Sequence, residues 1–95
     1  MFKPLDSLLH SELRLAVMSI LMTVENADFV FIRETTGATA GNLSVQIDKL
    51  EKAGYLSVQK TFCGKRPRTI CEATAKGREA FALYVEALKS YTELS

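Results

Sequence analysis

The segment 62–69, FCGKRPRT, gathers Lys65, Arg66 and Arg68 around Pro67 just after a glycine, with strand-type sequence on either side. Ammonium and guanidinium groups on a stiff turn are anion-binding groups, and phosphate is an anion their geometry fits. Upstream, Asn42, Ser44 and Gln46 set hydrogen-bonding side chains beside the apolar Val45. Such a set recognises chemical edges; it does not move protons. The residue types for catalysis do not assemble: His10 is the lone histidine, Cys63 and Cys71 form no CxxC, and no HxxxH spacing occurs. Neither a zinc site nor a nucleophile with its base can be built from these, so no enzyme, metal or cofactor is expected.

The 95 residues carry a net charge of only +1. Within 39–68, however, Lys49, Lys52, Lys60, Lys65, Arg66 and Arg68 stand against Asp48 and Glu51 alone, a local net of +4 that the mean conceals. Clustered cations of this kind are a binding footprint. Length and a 47% apolar content suit one ordinary core over 1–95. Apolar runs are short and no signal-peptide pattern opens the chain, which predicts a soluble, cytoplasmic protein with no membrane partner.

The positioning elements follow from periodicity. Leu13, Ala16, Val17, Ile20, Leu21 and Val24 recur at helical spacing behind Ser11, predicting a first helix over 11–24. FVFIRETTG predicts a strand-like lead-in at Phe29 and Val30, then a short second helix closed by Gly37. Thr39 opens a third helix with Ala40, Leu43, Ile47 and Leu50 inward and Gly54 at its end. At about 100° per residue its outward face holds Gly41, Asn42, Val45, Asp48, Lys49 and Lys52, with Gln46 at the margin. The period then becomes two, predicting a hairpin of 55–62 and 68–74 around a basic CGKRPR turn. Thr74 caps a last helix through Tyr91.

Together these predict a mainly α fold with a small β hairpin: a winged helix-turn-helix of three core helices, a two- to three-stranded wing and a C-terminal helix. A helix of this kind fits the major groove, where Asn or Gln pairs with adenine edges and Val meets a thymine methyl. The basic wing then lies on phosphates or in the adjacent minor groove. The runs LLHSELRLAVMSIL, DFVFIRETTGATAGNLSVQIDKLEKAGYLSV and GKRPRTICEATAKGREAF resemble the small single-domain winged-helix transcriptional regulators of the MarR/ArsR-like group. The resemblance implies a dimeric regulator of double-stranded DNA acting as a repressor. Carried over by position, Thr39, Asn42, Ser44, Val45 and Gln46 recognise bases, while Lys49, Lys65, Arg66 and Arg68 hold phosphates or the minor groove. Thr36, Cys71, Ala73 and Ala75 depart from the group's usual residues, which predicts thinner packing under the hairpin.

Apolar residues exceed what one core needs. Leu15, Met18 and Met22 lie opposite the first helix's main stripe, and the last helix carries a second stripe of Ala80, Leu83, Ala87 and Leu94. With Leu5, Leu8 and Leu9 these predict a homodimer that reads a palindromic site with two third helices about 34 Å apart. Any small-molecule effector is expected in the dimer crevice. The competing reading is a winged helix used as a protein-interaction module without specific DNA binding, toward which Asp48 and Glu51 point. Cys63, beside cations, is either a redox-sensitive thiol or, as the stronger expectation, an inert one.

Overall fold

The computed structural model describes residues 2–93. The elements in chain order are α1 Glu12–Thr23, β1 Ala27–Asp28, α2 Phe29–Thr36, α3 Ala40–Lys52, β2 Leu56–Cys63, β3 Arg66–Ala73 and α4 Ala75–Thr92. The three strands form an antiparallel sheet in the order β1-β3-β2. Leu94, expected at a dimer interface, lies outside the described residues.

Side-chain caps start three of the four helices. Asp28 Oδ1 accepts from the Phe31 amide at 2.8 Å, Thr39 Oγ1 from Asn42 at 3.2 Å, and Thr74 Oγ1 from Gly77 at 3.0 Å. Each satisfies an amide that the helix itself cannot. Gly37 closes α2 in the left-handed region with φ 73°, and its amide donates to the Arg33 carbonyl, turning the chain tightly into α3. The strand-like lead-in lies earlier than the sequence suggested: Ala27 and Asp28 pair with Cys71 and Ile70, while Phe29 and Val30 already belong to the first turn of α2. The Asp28 cap decides this, because a capping residue takes extended geometry and the residues after it are helical.

The hairpin is also longer than the periodicity suggested. Pairing runs without a break from Leu56↔Ala73 to Cys63↔Arg66, leaving a turn of Gly64 and Lys65 alone. Gly64 has φ 64° and Lys65 is not left-handed, the pattern of a type II′ hairpin turn with glycine first. Pro67 fits within β3 because β1 pairs only with Ile70 and Cys71. Among the described residues the edge of β3 beyond them has no partner strand to miss the proline's absent amide.

The core joins Val17, Met18 and Leu21 of α1 to Ile32 of α2, Leu43, Ile47 and Leu50 of α3, Leu56, Cys71 and Ala73 of the sheet, and Tyr84 of α4. Three expectations are corrected here. Met18 and Leu9 are fully buried and Ala87 is 3% exposed, so these side chains serve their own subunit and are not left for a partner. For Leu9 and Ala87 the reason is the N-terminal arm, which folds back along α4. Phe2 stacks on Tyr91 with ring centroids 4.7 Å apart, and the Lys3 amide donates to Ser90 Oγ at 3.0 Å. On α4 the buried residues are Gly77, Tyr84 and Ala87, of which Ala87 belongs to the second stripe expected from sequence.

Candidate nucleic-acid interface

α3 presents a core side and a free side, as its period demands. Leu43, Ile47 and Leu50 are buried, whereas Asn42, Ser44, Lys49 and Val45 are exposed, Val45 by 51%. A half-exposed valine flanked by polar residues is a suitable apolar contact for a groove. Thr39, expected both to open α3 and to recognise bases, has its hydroxyl oxygen committed as the N-cap acceptor for the helix.

The two flanks of α3 differ. Toward the wing, Ser44, Asp48 and Glu51 face Lys60 and Thr69 across a cleft floored by Ile47 and Val58. Toward α1, Arg14 Nη1 donates to Gln46 Oε1 at 2.5 Å, and Gln46 Nε2 donates to Asn42 Oδ1 at 3.0 Å. Arg14 is itself anchored, its Nε donating to the Leu8 carbonyl at 2.6 Å. Gln46, expected at the margin of the outward face, is therefore half-buried and engaged. Sequence reasoning passed over Arg14, although a lone cation within LRLAVM is a charge that needs a partner once the helix packs.

On the wing, alternation divides the cations. Arg66 and Arg68 stand opposite Cys63 and Thr61, so these four side chains share one face of the ribbon. Lys60 and Phe62 continue the other face, the one that buries Leu56, and Phe62 is 70% exposed. Only Lys65 sits in the turn itself. Arg68 is held at the wing root, where its Nε donates to Asp28 Oδ2 at 3.3 Å. Asp28 thus caps α2 and restrains the wing at once, a pairing that links residues 40 positions apart. Lys49, Lys65 and Arg66 are exposed and in no ion pair among the described residues, whereas Lys52 bonds Asp48 at 2.8 Å, which raises the lysine's pKa. Asp48 is neutralised within α3 by its own neighbour.

Among the described residues no cluster of three metal-ligating side chains occurs, and no helix is long and apolar enough to cross a membrane. Cys71 is buried in the sheet, and that burial, with the charges of Glu51 and Asp28 behind it, pushes its thiol up to about 11. Cys63 lies exposed on the wing and pairs with Arg66, several rungs from Cys71, which pairs with Val58.

Of the residues expected at a dimer interface, Leu83 is 59% exposed, and Leu5, Leu8, Leu15 and Met22 are partly buried against the core. Leu88 and Tyr91 of α4 and Phe2 of the arm are also exposed.

A tight helix-turn-helix whose second member keeps a polar, half-open face, followed by a basic two-stranded ribbon, defines a winged helix. The chain belongs to the family of winged helix DNA-binding domains, whose pattern matches residues 13–92. It is 33% identical over 76 residues to an uncharacterized protein of Methanocaldococcus jannaschii, covering 80% of this chain and 83% of that one. Among solved structures it resembles the transcriptional regulator homologue protein of Pyrococcus horikoshii, with a TM-score of 0.86 and 31% identity over 93% of this chain and 87% of that one. A MarR family transcriptional regulator of Silicibacter pomeroyi shares the fold at a TM-score of 0.69 and 15% identity, over 88% of this chain and 56% of the other.

Proposed function

We propose that the protein is a transcriptional regulator that binds specific double-stranded DNA, with α3 in the major groove and the wing on the flanking backbone. One observation carries the reading: α3 leaves Asn42, Ser44 and Val45 open while Lys49, Lys65 and Arg66 stand exposed and without ion pairs among the described residues. Base-reading groups flanked by cations on two elements are what groove and phosphate demand together. The family and the Pyrococcus horikoshii likeness support the same reading.

A two-fold dimer is part of the proposal. Leu83, Leu88, Tyr91 and Phe2 leave apolar surface on α4 and the arm that a second copy would cover, and two copies of α3 would then meet a palindromic site. Occupying such a site would block a promoter, which makes repression the expected sign of control. A crevice of about 320 Å³ between the arm and α4, bordered by Leu5, Asp6, Tyr55 and Leu83, would border that dimer and is where an effector would sit. The test is selection of duplexes from a random pool, repeated at rising salt. A symmetric enriched sequence with strongly salt-dependent affinity is expected; no salt-dependent affinity for any duplex would leave only the protein-interaction reading.

A further inference from the structure

Resting on that reading of α3 as the recognition helix, we infer that Arg14 sets which base Asn42 reads, by fixing the polarity of two side-chain amides. The chain of contacts runs Leu8 carbonyl, Arg14, Gln46, Asn42. A guanidinium has donors and no acceptor, so the Gln46 atom 2.5 Å from Arg14 Nη1 must be the carbonyl oxygen. The Gln46 nitrogen is then the atom turned to Asn42, and as a donor it must meet the Asn42 oxygen, 3.0 Å away. Arg14 cannot swing aside to relax this order, because its Nε is bonded to the Leu8 carbonyl.

The consequence lies in what remains for a ligand. A free asparagine pairs with adenine by using its oxygen and nitrogen together, accepting from N6 and donating to N7. Here each amide oxygen already accepts one bond inside the protein, so accepting from an adenine N6 would fall to the second lone pair of an Asn42 oxygen held toward Gln46. Exposed Asn42 keeps both of its N–H donors and Gln46 its second, so donors outnumber free acceptors at this surface. In the major groove guanine alone presents two acceptors, N7 and O6, side by side; adenine would set its N6 amine against a donor, and cytosine offers only a donor. The sequence-level expectation of adenine at Asn42 gives way to guanine. Arg14, which sits on α1 and reaches no base in this scheme, is a positioning residue.

The experiment is random-pool duplex selection run in parallel on the wild type, Asn42→Ala, Arg14→Met and Gln46→Met. Asn42→Ala identifies the base pair that Asn42 faces, as the position whose preference disappears. At that position the wild type should favour guanine over adenine by about tenfold, the range of one well-formed base contact. Arg14→Met and Gln46→Met should abolish that preference or turn it to adenine at that position, and Gln46→Met, which removes no charge, should leave the salt slope unchanged. Gln46→Met leaves the Arg14 anchor to Leu8 in place, so it reports even if Arg14→Met folds poorly. Adenine at that position in the wild type, or guanine retained in Gln46→Met, overturns the inference while leaving DNA recognition standing. Loss of all salt-dependent duplex binding in the wild type overturns the underlying reading instead.

Discussion

Gly77 sits in the first turn of α4 so close to Tyr55 that a Cβ on it would lie 1.9 Å from the Tyr55 carbonyl oxygen and 3.0 Å from Met18 Cε. Around this contact Thr74 locks α4 to the end of α3: its hydroxyl donates to the Gly54 carbonyl at 2.5 Å and its amide to the Tyr55 carbonyl at 3.1 Å. Replacing a helical glycine by alanine ordinarily gains about 1 kcal/mol from propensity. Here the methyl meets backbone, which cannot turn aside as a side chain can. Gly77→Ala should lower stability by at least about 2 kcal/mol net, since overpacking dominates. A thermal melt would show this as a fall of roughly 4–8 °C per kcal/mol in a domain of this size; an unchanged melting temperature would mean that α4 does not dock as described.

The wing cations should separate in their salt dependence. Arg66 and Lys65 are in no ion pair among the described residues, whereas Arg68 is bonded to Asp28. Each freely made phosphate contact contributes about −0.9 to the slope of log K against log salt. Arg66→Ala and Lys65→Ala should each flatten the slope by about that amount, and Arg68→Ala by clearly less. Asp28→Asn keeps a good N-cap for α2 while releasing Arg68, so it should strengthen duplex binding at low salt with stability altered by no more than about 0.5 kcal/mol. Equal slopes for all three cation variants would show that the Asp28 contact yields completely on binding.

Much of this was legible because it is periodic or local. The apolar stripe of α3 from Leu43 to Leu50, glycines at Gly37 and Gly54 and the change to period two at Leu56 each carry their own physical signature and hold in the structure, whereas Ala40, expected inward, is exposed in the first turn of α3. What escaped is what joins distant segments. A strand of two residues, β1, is too short for alternation to register. The arm's return along α4, which covers Leu9 and Ala87, has no period at all. α1 is apolar on several sides, so spacing put Val24 in the inward stripe and Met18 opposite it, whereas Met18 is fully buried and Val24 is 36% exposed. The Arg14, Gln46 and Asn42 chain is a tertiary fact, visible from sequence only as one arginine in an apolar helix.

The Tyr55 hydroxyl donates to Asp6 Oδ2 at 2.5 Å, and this bond, aided by burial and the Asp6 charge, pushes the phenol up to about 12. An unfolded chain loses a phenolic proton near pH 10. The folded state holds its proton longer, so the stabilisation is whole below about pH 10 and is lost as pH rises toward about 12. In melts taken from pH 9 upward, the gap between wild type and Tyr55→Phe should therefore narrow across that window. A constant gap would mean that the phenol does not donate to Asp6 in the folded protein.

The two thiols should react in two stages. Cys63 is exposed on the wing, while Cys71 is buried and its thiolate disfavoured by a pKa near 11. Only thiolate reacts appreciably with a disulfide reagent. One thiol per chain should titrate in the native protein near neutral pH, and two in denaturant. Cys63→Ser should abolish the native reaction entirely; residual labelling would show that the sheet opens around Cys71.

Leu83 tests the proposed assembly. It is 59% exposed on a face of α4 that the subunit leaves open, and a single glutamate there is compatible with helix geometry and with the monomer's own core. In a closed dimer the same carboxylate would be buried twice, once from each copy, without a partner, and unpaired buried charges weigh heavily against association. Leu83→Glu should leave the monomer's stability within about 0.5 kcal/mol of a monomeric reference while halving the mass seen by light scattering at micromolar concentration. Affinity for a symmetric site should fall roughly 10²- to 10⁴-fold, because two linked half-site contacts become independent, whereas binding to an isolated half-site should be nearly unchanged. A dimer that survives Leu83→Glu with full affinity would place the interface away from this face of α4.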